Sequence, residues 1–106
     1  MIIQLNTDKS LTIHAEYESQ ITDKLTKELT RFSEHISRLE VHLSDENGSK
    51  SGLNDKKCLL EARIEGRAPI AASDLGQTYD VALHGAIDKL KSALTTIIGK
   101  MKEVNS

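Results

Sequence analysis

Apolar residues recur along much of the chain at the spacing of helices that bury one face. Three-and-four spacing from Tyr17 to Ile36 predicts an amphipathic helix over about residues 15–35. The same spacing predicts a second helix, opened by Asp74 and Gln77, which are spaced like the two members of a capping box. Its apolar stripe comprises Leu75, Tyr79, Leu83, Ile87, Leu90, Leu94, Ile97 and Met101.

Four other segments have the character of β-strands. Alternation of apolar and polar residues over 38–44 and, apart from Leu59, over 58–65 predicts two half-buried strands. Residues 2–6 form a short apolar strand, and residues 68–72 form a fourth strand, placed at an edge because Pro69 cannot donate to a neighbouring strand. The polar segment between, residues 45–55, predicts a mobile loop joining antiparallel strands.

The order of these elements is β-α-β-β-β-α, and it defines an expected architecture. The first strand, the first helix and the second strand form a crossover unit with parallel strands, and hairpins make the next two connections. Both helices should cover the same face of the sheet, because the outward positions of the middle strands are charged or polar: Arg38, Glu40, His42, Glu61, Arg63 and Glu65. We therefore expect an α+β fold, a two-layer sandwich of a four-stranded sheet with two helices on one face.

The length of 106 residues and the hydrophobic content of 38% allow one core, so residues 1–106 are expected to form a single domain. No apolar run approaches the roughly 20 residues of a membrane span, and the N-terminus lacks the features of a signal peptide. The lone Cys58 lies on the apolar side of its strand, which favours a buried, inert thiol. A cytoplasmic protein is expected.

The residues provide no recognisable catalytic motif, phosphate-binding loop or metal-spaced cluster, so neither an enzyme nor a small-molecule substrate or cofactor is expected. The four histidines, His14, His35, His42 and His84, are dispersed over different elements, which favours structural or solvated roles over metal binding. A calcium loop starting at Asp45 would need glycine and glutamate where Lys50 and Lys56 stand.

The aromatic residues argue against one mode of RNA recognition. Tyr17, Phe32 and Tyr79 all fall on stripes that face the core. A sheet that stacks RNA bases needs aromatic side chains on its open face, so this mode is not expected.

Charge is distributed unevenly. The net charge of −2 argues against nucleic-acid binding unless the charges are segregated, and they are: residues 1–55 carry −4 and residues 56–106 carry +2. Four lysines and no acidic residue lie between Lys89 and Lys102. What remains as candidate chemistry is therefore a basic surface.

This basic surface lies on both helices. Lys24, Lys27 and Arg31 form one ridge of the first helix. On the second helix, Lys89 and Lys100 follow one edge of the apolar stripe and Lys91 and Lys102 the other. The outermost face between those edges carries Asp88, Ser92, Thr96 and Gly99.

Three strings in this framework resemble the ribosome hibernation promoting factor family, also called ribosome-associated inhibitor or ribosomal subunit interface proteins. They are ITDKLTK at 21–27, VHL at 41–43 and GAIDKL at 85–90. The chain resembles the short form of the family, which lacks an added dimerisation domain, so ribosome dimerisation through such a domain is not expected.

The resemblance implies a fold similar to double-stranded-RNA-binding domains and a stress-related regulator that binds the small ribosomal subunit and its RNA, silencing idle ribosomes. Lys24, Lys27, Lys89, Lys100 and Lys102 fall where family members are basic, with Arg31 and Lys91 as neighbours. Ser92, Thr96 and Ile98 depart from the family by being uncharged where it tends to be basic. The alternative is a protein-interaction module that kept the fold and lost RNA binding, using the acidic loop or the open sheet face.

Overall fold

The computed structural model describes the backbone of residues 1–7, 15–45 and 55–104, and side chains as far as residue 100. Its elements are β1 (Ile2–Thr7), α1 (Ala15–Glu28), a short 3-10 helix (Thr30–Phe32), β2 (Ile36–Asp45), β3 (Lys56–Ile64), β4 (Ile70–Gly76) and α2 (Tyr79–Val104). The expected β-α-β-β-β-α order is confirmed. None of the helices in the described ranges is both long and apolar enough to cross a membrane.

The four strands form one mixed sheet in the order β1-β2-β3-β4. β1 pairs with β2 in parallel, and the pairs β2–β3 and β3–β4 are antiparallel. This is the predicted topology, and β4 lies at an edge as predicted. The strand spans Ile70–Gly76 rather than 68–72, however, so Pro69 precedes it and is not the reason for its position.

The core lies between one face of the sheet and the two helices. Leu39 and Val41 of β2 and Cys58 and Leu60 of β3 are buried on this face, as the alternation predicted. The opposite face presents the charged side chains of these strands, so both helices cover the same face, and the two-layer α+β sandwich is confirmed.

The first helix is shorter than predicted. α1 ends at Glu28, and Ile36, assigned to the helix by its spacing, is instead the first residue of β2. The Thr30 hydroxyl donates to the Thr26 carbonyl, and the Ser33 hydroxyl donates to the Thr30 carbonyl. These hydroxyls satisfy carbonyl groups where the helical ladder stops, so a 3-10 turn replaces the expected last turns.

The prediction for the start of the second helix was wrong. β4 runs to Gly76, so Asp74 belongs to a strand and forms no capping box, and Leu75 is 47% exposed on the open sheet face. The helix begins at Tyr79, and the Thr78 hydroxyl accepts a hydrogen bond from the Val81 backbone N–H at 3.2 Å.

The buried stripe of α2 also differs near its end. Ile98, four residues after buried Leu94, is 6% exposed, whereas Ile97 is half-buried. The predicted roles of the Met101 side chain and of His14 lie outside the described residues, as does nearly all of the 45–55 loop, including the calcium alternative considered there.

Candidate nucleic-acid interface

The two helices lie side by side and run in the same direction. Three side-chain hydrogen bonds join them: Tyr17 Oη to Asp80 Oδ1 (2.9 Å), Lys91 Nζ to Glu28 Oε2 (3.0 Å) and Arg31 Nη2 to Thr95 Oγ1 (2.9 Å). The partners are separated by 63 or 64 residues in every case, which requires a parallel pair whose N-terminal ends are aligned.

Charge is therefore segregated along the helix pair. Glu16, Glu18 and Asp80 occupy the N-terminal end, and Lys27 and Arg31 lie at or just beyond the C-terminal end of α1. These residues lie at the helix termini where the helix dipole favours their charge, whereas Glu28, the last residue of α1, is an acidic exception that pairs with Lys91. At the acidic end, burial and the Asp80 carboxylate raise the pKa of Tyr17 above its ordinary value.

Of the three basic residues predicted to form a ridge on the first helix, Lys24 and Lys27 lie in α1 and Arg31 lies beyond its end. Lys27 is exposed and Lys24 is half-buried, and neither forms an ion pair with another described residue. Arg31 lies in the 3-10 helix, where its guanidinium stands 4.6 Å from the centre of the Phe32 ring. A shallow cleft of about 340 Å³ opens beside it, between the 3-10 helix and the last described turns of α2.

Lys89 and Lys91 lie on opposite edges of α2, as predicted. Lys91 faces α1 and binds Glu28, whereas Lys89 faces β4, where its Nζ lies 3.3 Å from both Asp74 Oδ1 and the Ser73 carbonyl. Lys100 is exposed, and the Lys102 side chain lies outside the described residues.

These pairs shift the acidity of the two carboxylic acids. The hydrogen bond from Lys91 lowers the pKa of Glu28. The pKa of Asp74 is lowered mainly by the Leu75 backbone N–H and secondarily by Lys89. Both carboxylates are therefore held in the charged form. Each forms an ion pair with a lysine that was predicted to face RNA.

The basic side chains gather where the end of α1 and the 3-10 helix meet α2. Lys27 and Arg31 lie on one side of this junction and Lys91 on the other, and the Glu28 carboxylate is bound to Lys91 between them. Exposed Ser92 and Thr96 then separate Lys91 from the edge that carries Lys89. The arrangement offers a cluster of cations at the helix junction rather than a uniform strip over both helices.

Recognition by this surface would depend on charge rather than on base stacking. Phe32 is 3% exposed, and Tyr17 and Tyr79 pack against the core, as predicted. The sequence reasoning missed Glu28, Asp74 and Thr95, the partners of the basic side chains. No local sequence pattern identifies these partners, because they are 15 to 64 residues away from the basic side chains and meet them only when the helices and β4 pack together.

Comparison with known protein families identifies one family model that matches most of the chain. The family model described as "Sigma 54 modulation protein / S30EA ribosomal protein" matches residues 6–102. The chain belongs to this family. The family predicted from the three sequence strings is thereby confirmed.

Solved structures support the fold of this S30EA ribosomal protein family member. The N-terminal domain of Protein Y from Thermus thermophilus matches with a TM-score of 0.70 and 16% identity, covering 92% of this chain and 99% of that one. A ribosomal subunit interface protein from Coxiella burnetii matches with a TM-score of 0.71 and 18% identity, covering 93% and 99%. No curated protein sequence is significantly similar.

Proposed function

We propose that this protein is a non-enzymatic, cytoplasmic translation regulator that binds the small ribosomal subunit through its RNA and keeps idle ribosomes inactive during stress. Two findings support the proposal: membership of a ribosomal protein family over residues 6–102, and a fold shared with a ribosomal subunit interface protein. The observation that carries it is the cluster of cations at the junction of α1 and α2.

The junction suits phosphate groups. Lys24 and Lys27 have no carboxylate within ion-pair distance among the described residues, and Arg31 donates only to the neutral Thr95 within them. The guanidinium has five N–H donors, so most of them stay available to phosphate oxygens. The proposed RNA-binding residues are Lys24, Lys27, Arg31, Lys89, Lys91, Lys100 and Lys102.

Lys89 and Lys91 would bind RNA by exchanging partners. Each leaves a carboxylate that lies only 3.0 to 3.3 Å away, so part of the gain from a phosphate contact is offset by the ion pair that breaks. Contacts of these two lysines should therefore contribute less than those of Lys24 and Lys27.

Co-sedimentation of the purified protein with small ribosomal subunits across a salt series tests the proposal. Each phosphate contact that is removed should reduce the slope of log affinity against log salt by about 0.7 to 0.9. The variant Lys24→Ala/Lys27→Ala should reduce both affinity and slope. The matched control Arg38→Ala/Arg63→Ala removes the same charge from the open sheet face and should leave the slope unchanged.

The co-sedimentation results distinguish a wrong function from a wrongly placed binding surface. If the protein does not pellet with the small subunit even at low salt, the proposed function is wrong, and the protein-interaction alternative takes its place. If the two double variants lose slope equally, the helix junction is not the binding surface.

A second variant addresses the partner exchange directly. Glu28→Gln releases Lys91 and removes one negative charge from the junction. Asp88→Asn removes a negative charge from the exposed face of α2, where Asp88 pairs with His84 rather than with a lysine. If Lys91 binds RNA, Glu28→Gln should tighten binding more than Asp88→Asn does. Equal effects would remove Lys91 from the site.

A further inference from the structure

The open face of the sheet brings together three metal-ligating side chains that sequence spacing did not connect. Glu40 and His42 lie two residues apart on β2, and Glu61 of β3 pairs directly opposite Glu40. One ligand atom from each of the three lies within 4.8 Å of the others. The strand register, rather than any motif, creates this group.

The imidazole of His42 has a nitrogen without a hydrogen-bond partner. Its Nε2 atom is buried, although the rest of the side chain leaves 38% of the surface exposed. The nearest carboxylate oxygen, Glu61 Oε1, lies at 3.5 Å without hydrogen-bond geometry. Buried polar atoms in native proteins nearly always have a hydrogen-bond partner or a bound ion. We therefore expect a partner for this nitrogen.

The carboxylates of Glu40 and Glu61 repel each other, which is a second reason to expect a cation at this position. Like charges directly opposite on neighbouring strands are destabilising. Among the described residues Arg63 pairs with Glu40, its Nε standing 3.8 Å from Glu40 Oε2, beyond hydrogen-bond distance. One guanidinium therefore offsets part of the negative charge of two carboxylates.

We propose that Glu40, His42 and Glu61 bind a divalent transition-metal ion of the zinc class. One ion would give His42 Nε2 a partner and neutralise the opposed carboxylates. An imidazole nitrogen with two carboxylate oxygens suits Zn²⁺, which takes such ligands at about 2.0 to 2.2 Å and keeps a fourth position for water. Tetrahedral ligands at these lengths are about 3.3 Å apart, so modest side-chain rotations bring the three atoms into place.

The ion would join β2 to β3 on the face away from the helices. The site is thus separate from the proposed RNA surface and does not depend on it. A ligand that binds the folded state but not the unfolded state raises the melting temperature by mass action. Zinc should therefore stabilise the protein.

Titration of the untagged 106-residue chain with zinc chloride, followed by calorimetry and thermal melting, tests the proposal. The wild type should bind one equivalent and melt at a higher temperature with zinc than with a chelator. His42→Ala and Glu61→Gln should each weaken binding on the order of 10-fold or more and abolish the zinc-dependent shift in melting temperature.

His84→Ala is the matched control. His84 Nε2 also lies 3.5 Å from a carboxylate, that of Asp88, but this pair belongs to no group of three ligands among the described residues. The control should bind zinc like the wild type. Absence of binding by the wild type, or wild-type affinity in His42→Ala, would overturn the assignment, as would equal losses in His42→Ala and His84→Ala. Movement of the His42 ring signals in NMR spectra on zinc addition would support it independently of stability.

Discussion

Replacement of Gly85 by alanine should destabilise the protein, because α2 passes very close to β4 at this position. A Cβ atom there would stand 2.7 Å from Asp74 Cγ and collide with the carboxylate. Asp74 cannot simply turn away, since its Oδ1 accepts hydrogen bonds from the Leu75 N–H (2.9 Å) and from Lys89 (3.3 Å).

The expected change in the free energy of unfolding of Gly85→Ala is the difference between one stabilising effect and two destabilising ones. Alanine in place of glycine favours a helix by about 1 kcal/mol. Overpacking costs about 1–3 kcal/mol, and loss of the hydrogen bonds to Asp74 costs on the order of 1–2 kcal/mol more. The free energy of unfolding should therefore fall by about 1–4 kcal/mol, which corresponds to a decrease in melting temperature on the order of 10 °C for a domain of this size.

Chemical denaturation followed by circular dichroism measures this change, and two variants control it. A Cβ at Gly99 meets no described atom within 4 Å, so Gly99→Ala should stabilise the protein by up to about 1 kcal/mol. Adding Asp74→Ala to Gly85→Ala removes the collision with the carboxylate, leaves a tight contact of 3.1 Å with the Cβ of residue 74, and should recover part of the loss. If Gly85→Ala is as stable as the wild type, or if Asp74→Ala brings no recovery, the close approach is not what selects glycine here.

Three further predictions follow from single contacts. Burial raises the pKa of Cys58 to about 12, so its thiol should react with alkylating reagents only as fast as the protein unfolds. Thr78→Ala should lower the free energy of unfolding by about 1 kcal/mol through loss of the helix cap, whereas Thr78→Ser should not. Lys91 lowers the pKa of Glu28 below its ordinary value of 4.5, so the pair stabilises the fold at neutral pH, and this contribution should vanish as the pH falls through the lowered pKa. Lys91→Ala should return the Glu28 pKa towards 4.5 in a carbon-13 NMR titration, and an unchanged value would contradict the pairing.

The sequence was sufficient for the sheet and the two layers because hydrophobic periodicity encodes them directly. Leu39, Val41, Cys58 and Leu60 alternate with polar residues, and the structure buries all four. The boundaries were harder to predict. Ile36 continues the spacing of the helix, yet it begins a strand, because the intervening turn happens to keep the same apolar period.

The candidate surface was predictable only in part. Spacing on a single helix was enough to place Lys89 and Lys91 on opposite edges. It could not show that Asp74 and Glu28 hold them, since those contacts depend on how α2 packs against β4 and α1. The three candidate metal ligands on the sheet could not be connected from the sequence for the same reason, because Glu61 joins Glu40 and His42 only through the strand register.

The parallel orientation of the helices changes what the net charge of −2 implies. An antiparallel pair would set Arg31 beside the acidic start of α2, whereas the parallel pair sets it beside Thr95, 15 residues beyond Asp80. At a rise of 1.5 Å per residue, the acidic and basic ends are about 20 Å apart. The Debye length at physiological salt is about 8 Å, so the acidic end is screened from a phosphate at the basic end. At about 0.01 M salt the Debye length grows to about 30 Å, and repulsion from the acidic end is then felt. Below that salt concentration the affinity for RNA should therefore level off instead of continuing to rise.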